Sequence, residues 1–99
     1  MDYPELEEFK RHLNTVFQVR YTEGTSLEFL LVEATLVRRT RVQEVFTLVF
    51  KAPPQAPPLT QVYPLEHAEL GTLEIFLSPF KREPGALYLE AAFNRLLTK

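Results

Sequence analysis

Cysteine is absent from this chain, which excludes disulfides, thiolate metal sites and thiol catalysis. No apolar run approaches the ~20 residues that a membrane-spanning helix needs. A charge excess is lacking too. Lys+Arg 11 against Asp+Glu 13 leaves a formal net charge of -2, of the wrong sign for a dedicated binder of phosphate backbones. Neither nucleic acid nor membrane is therefore expected as a partner. The first twenty residues carry acids where a signal peptide needs a basic end and an apolar run, so the expected location is cytoplasmic. Glycine is scarce, and Gly24, Gly71 and Gly85 stand singly, which leaves no glycine-rich phosphate loop.

What remains is 99 residues, 45% hydrophobic and 24% charged, the composition of one globular domain able to bury a core without covalent staples. In Pro4 to Leu13, Leu6, Phe9 and Leu13 fall at i, i+3 and i+7, with acids first and bases last. This spacing predicts a short amphipathic helix over 4–13, with Asp2 as cap and Asn14 as its end. Beyond Val16 the apolar period becomes two, and strands are expected at 16–22, 26–38, 43–51, 61–67, 72–79 and 86–94. In the second strand Leu27, Phe29 and Leu31 share a face that Val32, Ala34 and Leu36 then take over, so a β-bulge at Leu31-Val32 is expected. Thirteen residues at ~3.3 Å each also reach further than a compact domain holds straight, so the strand must coil. Strand three is apolar on both faces and reads as central.

Residues 52–60, with a near-repeat of Ala-Pro-Pro, read as an extended connector without ladder bonds. Pro64 cannot donate to a ladder and implies an edge or a bulge in strand four. Lys81 to Gly85 reads as a polar turn, and the last five residues as a tail. The fold class expected is mainly β: a six-stranded antiparallel small barrel, or a rolled sheet or sandwich, with one short N-terminal helix covering an open end. Phe46, Leu48, Phe50, Leu73, Ile75 and Phe93 are expected to be almost completely buried. Strand one or strand six is expected to be left as an unpaired edge.

From Phe46-Thr-Leu-Val-Phe50 through Gln61-x-Tyr63-x-Leu65-Glu66-His67-x-x-Leu70-Gly71 to Glu90-Ala-Ala-Phe93-Asn94, nearly the whole chain resembles a family of short, uncharacterised bacterial domains of about this length. The family has no established activity, and an aromatic residue usually stands where this chain has Leu89. Some relatives occur near phage-tail-like proteins, so the resemblance implies a structural or assembly role.

Glu66-His67-Ala68-Glu69 is the one place where imidazole and carboxylates lie close in sequence. In a strand only His67 and Glu69 can share a face, and metal binding needs a third ligand, whereas the other histidine, His12, sits on the helix. The simpler reading has His67 closing strand four, its ring beside Tyr63 and its nitrogens bonded to backbone in the turn before Gly71. Ser26 and Ser78 lack a nucleophile elbow, and no spacing of acids singles out a hydrolytic pair. No catalytic, metal-binding or cofactor-binding residue is assigned.

Arg38, Arg39 and Arg41 form the densest positive patch, suited to an acidic partner or to a solvated hairpin tip. Lys51, Pro54 and Pro57 fit a basic-x-x-Pro-x-x-Pro pattern able to dock in an aromatic groove. The function expected is a non-enzymatic interaction or assembly domain with a protein partner or a second copy of itself. The alternative is a small-molecule-binding barrel or minor hydrolase with a site near His67. The first requires a filled interior, the second an apolar cavity with convergent polar groups.

Overall fold

The computed structural model describes residues 3–22 and 24–97. Among these residues one helix, α1 (Leu6–Lys10), precedes six strands: β1 (Val16–Thr22), β2 (Thr25–Arg39), β3 (Gln43–Ala52), β4 (Gln61–His67), β5 (Gly71–Glu83) and β6 (Ala86–Leu96). All pairings are antiparallel, and the sheet closes on itself in the order β1-β2-β3-β6-β5-β4. Two three-stranded meanders, β1–β3 and β4–β6, thus face each other across a shared interior. Closure removes the fully unpaired edge expected at strand one or six. The open edges that remain are halves of strands: β2 beyond Leu30 has no β1 register partner, and β6 beyond Glu90 has no β5 partner.

The period-two runs place the core as expected. Phe46, Leu48 and Phe50 are fully buried, and Leu73 and Ile75 nearly so, with Phe17, Phe29, Tyr63 and Leu89 among them. Phe93 departs from the expectation: it is only partly buried, stacked on Phe46 at 4.9 Å between ring centroids, near the end of β6. β3 is paired along its length with β6 and over most of it with β2, so it is flanked on both edges, as expected of a central strand.

The bulge at Val32 is present, where the β2–β3 register slips between Leu31 and Glu33. A second slip between Leu36 and Arg38 leaves Val37 unpaired, and a third in β5 leaves out Phe80. β2 is accommodated by bending at its bulges and by an elongated molecule of 43 × 26 × 22 Å.

Both ends of the interior are closed. At one end Leu6 and Phe9 of α1 are buried, Phe9 against Phe46 and Phe93. The helix is shorter than expected, capped by the Glu5 backbone with no side-chain bond; Asp2 lies outside the described residues. Asn14 ends the segment in the left-handed region at φ 66, its N–H donating to Leu31 C=O, a conformation that asparagine tolerates.

At the other end residues 53–60 join β3 to β4 without ladder bonds, as expected, but the loop is not extended throughout. Ala56 N–H donates to Pro53 C=O, closing a turn that carries Ala56 into the core. Two further expectations fail at exposed segments. Lys81 to Glu83 continue β5, leaving Pro84-Gly85 as the turn, and β6 runs on to Leu96 where a tail was expected. Exposed strand residues carry no apolar alternation to mark them.

Pro64 stands where pairing with β1 runs out. β4 meets β1 only at Gln18↔Glu66 and Val19↔Leu65, while it pairs with β5 along its whole length.

Candidate functional site

The helix end of the molecule carries two polar clusters, one on each side of α1. The first joins His67, at the end of β4, to His12, just beyond α1. His67 Nδ1 accepts the N–H groups of Glu69 (3.0 Å) and Leu70 (3.2 Å), so its proton sits on Nε2. Nε2 donates to Thr15 Oγ1 at 2.9 Å, and that hydroxyl donates onward to His12 C=O at 2.6 Å. Burial, with the His12 charge nearby, holds His67 below the ordinary imidazole value.

His12 has the opposite surroundings. Its Nδ1 faces Glu8 C=O and its Nε2 faces Glu69 Oε1, both at 2.8 Å. Two acceptors demand two ring protons, and the Glu8 carbonyl followed by the Glu69 carboxylate holds His12 above its ordinary value. The His12 hydrogen bond in turn lowers Glu69.

The expected contact of His67 with Tyr63 is not found. Its ring lies against Phe17 at 4.5 Å and His12 at 4.9 Å, while Tyr63 packs on Phe29 and Tyr21 and donates to Leu59 C=O. Both His67 nitrogens are committed to internal partners, and among the described residues no group of three or more ligating side chains could hold a metal. Sequence reasoning set His12 aside as a helix residue; the fold brings it to His67 and Glu69.

The second cluster lies where the β2–β3 hairpin and the end of β6 project beside α1. Glu44 is buried, at 2% exposure, and on the inward face of β3 with Phe46. Its Oε2 accepts Arg39 Nη2, and its Oε1 accepts Arg95 Nη1 at 3.2 Å. These bonds, Arg39 first, hold the carboxyl below its ordinary range despite burial. Glu44 was not singled out in the sequence, although it shares the parity of Phe46, Leu48 and Phe50.

The three hairpin arginines therefore divide. Arg39 pairs with the buried Glu44 while its own side chain stays 55% exposed, and Arg38 donates across the hairpin to Gln43 Oε1 at 3.1 Å. Arg41 is exposed and shows no hydrogen bond or ion pair among the described residues. Beside them Val42 and Leu96 are 65% and 72% exposed, and Leu36 and Val37 of β2 are exposed as well. Arg39, Arg41, Glu44 and Arg95 line a groove of about 500 Å³.

The polyproline pattern does not present itself as a docking helix. Lys51 and Pro54 are exposed, but Pro54 C=O accepts Arg82 Nη1 at 3.2 Å, Pro57 C=O accepts Leu59 N–H, and Ala56 between them is buried. A larger groove of about 620 Å³ runs along Gln18, Glu28, Leu30, Lys51 and Pro53. Neither histidine lines either groove. No curated protein and no solved structure matches the chain. A family model does match, over residues 4–93, and on that match the chain belongs to the family described as Domain of unknown function (DUF6916).

Proposed function

We propose that this is a non-enzymatic domain for protein–protein interaction or assembly, and that the projecting end of β2, β3 and β6 is the surface that meets the partner. The observation carrying this reading is that the arm exposes the apolar residues Leu36, Val37, Val42 and Leu96, with exposed Arg41 next to Val42, on a scaffold whose interior is filled by aromatic and aliphatic side chains. Exposed apolar side chains rimmed by polar groups mark interaction surfaces, and arginine is enriched at interfaces. The likeness to domains found near phage-tail-like proteins supports assembly of such a structure in the bacterial cytoplasm as the setting. The small-molecule alternative near His67 loses support because that ring spends both nitrogens internally.

The test is site-specific photo-crosslinking in the native host, with the probe at Val42 in one strain and at Gln61 on the opposite end in another. A defined protein crosslinked from Val42 alone, and bound again by the purified chain, is the expected result. A metabolite that shifts the melting temperature of the parent but not of His67→Gln would overturn the reading.

A further inference from the structure

The projecting arm also leaves strand edge without ladder partners, beside α1, which packs against β2. The β1 ladder on β2 ends at Leu30, and Leu31 is held by backbone bonds to Asn14 and Thr15. From Val32 to Arg39, β2 pairs with β3 alone, and none of its backbone groups bonds elsewhere among the described residues. An open strand edge is a template for another strand. Resting on the interaction reading above, we propose that this edge pairs antiparallel with the same edge of a second copy, about a two-fold axis at Thr35.

The occupant is identified by the self-complementary order of the edge. Pairing about Thr35 sets Thr35 against Thr35 and Ala34 against Leu36. It sets Glu33 against the bulge that carries Val37 and Arg38. Glu33, Thr35 and Arg38 lie level with Val49, Thr47 and Val45 of β3, the outward residues of that strand, so the acid and the base share a face. Two Glu33–Arg38 pairs related by symmetry then flank a Thr–Thr pair, both favourable cross-strand combinations. Within the single chain Glu33 has no ion pair among the described residues, and Arg38 has only the neutral Gln43.

The open half of β6 does not match this pattern. Tyr3 lies over it, its ring edge-on to Phe93 at 5.3 Å and its hydroxyl bonded to Glu74 C=O. The bulges at Val32 and Val37 keep the β2 edge short, and a two-fold contact closes on itself, so the product is a dimer rather than a fibre.

Sedimentation of the full chain over a concentration series reads the association. The parent is expected to form a reversible species of twice the 11.5 kDa chain mass. Glu33→Arg and Arg38→Glu should each weaken it by about tenfold at low salt, and the double swap should restore it. Because the chain has no cysteine, Thr35→Cys offers an independent reading. A short bismaleimide should link two copies through position 35 but not through Thr47→Cys on the neighbouring strand. A parent that stays monomeric near ~1 mM, a double swap that fails to restore association, or equal linking from positions 35 and 47 would each overturn self-pairing. A monomer that still crosslinks a partner from Val42 would overturn self-pairing alone. Partner binding indifferent to the arm would overturn the broader reading as well.

Discussion

His12 and His67 meet edge to face with ring centroids 4.9 Å apart, and their hydrogen-bond partners put them in opposite charge states. His12 faces two acceptors and is held as the imidazolium; His67 accepts two N–H groups at Nδ1 and is held neutral. Two rings of the same residue type, in contact, thus titrate on opposite sides of their common reference value.

Stability should accordingly peak near pH 6.5, the reference imidazole value. His12 binds its proton more tightly folded than unfolded, so its contribution is complete below that pH and lost as pH rises through the raised folded value. His67 behaves oppositely: its contribution is complete above that pH and is lost as pH falls through the lowered folded value. Chemical denaturation across pH 5 to 8 checks this. His12→Gln should flatten the alkaline shoulder and His67→Gln the acid one.

His67→Leu should cost about 1–3 kcal/mol, because the N–H groups of Glu69 and Leu70 lose their acceptor in a partly buried turn. Divalent zinc should cause no thermal shift that depends on His67, since its lone pair at Nδ1 is already taken. Thermal melts of parent and variant with and without metal decide both points.

In the core, Phe50→Ala should cost about 3–5 kcal/mol, a large share of the ~5–15 kcal/mol that holds such a domain together. Phe93→Ala should cost clearly less, because that ring is partly open and solvent can fill the space it leaves. Urea titrations of the two variants side by side give the comparison.

Arg39→Ala and Arg95→Ala should each be mild, since either guanidinium alone still pairs the Glu44 carboxylate. The double variant should lose more than the sum of the two, because it strands a buried charge. Strict additivity in a double-mutant cycle would refute the shared site.

The strands were legible because their buried residues repeat every second position, and the Val32 bulge because the apolar set changes face there. Val37 and Phe80 gave no such sign. Val37 is followed by Arg38 and Arg39 on an open arm, and Phe80 by Lys81 and Arg82, so no buried alternation exists for the slip to interrupt. A closed barrel was among the expected forms, but which strands close it was not legible, because Val19 and Leu65 pair across the β1–β4 joint through backbone groups that every residue carries. The helix was read too long for a related reason: Leu13 keeps the apolar spacing, but the α-helix has already ended at Lys10 and the chain runs on in tighter turns. Of the histidine site, Glu69 and the backbone bonds in the turn were readable locally. His12 was not, because α1 is placed by Phe9 against Phe46 and Phe93, contacts that no local spacing encodes.

The two joints between the meanders are unequal: ten register pairs link β3 to β6, and two link β1 to β4. Both are non-local, so both carry a loop-closure cost before they stabilise anything. The shorter joint has less to hold it and should be the last to form and the first to yield. Leu65→Ala, at that joint, should therefore speed unfolding and leave refolding nearly unchanged, whereas Leu48→Ala should slow refolding, a contrast that chevron plots resolve. The lifetime of the native ring is then governed by its smallest joint, so a change at Val19 or Leu65 would alter how long the fold persists more than how fast it is reached.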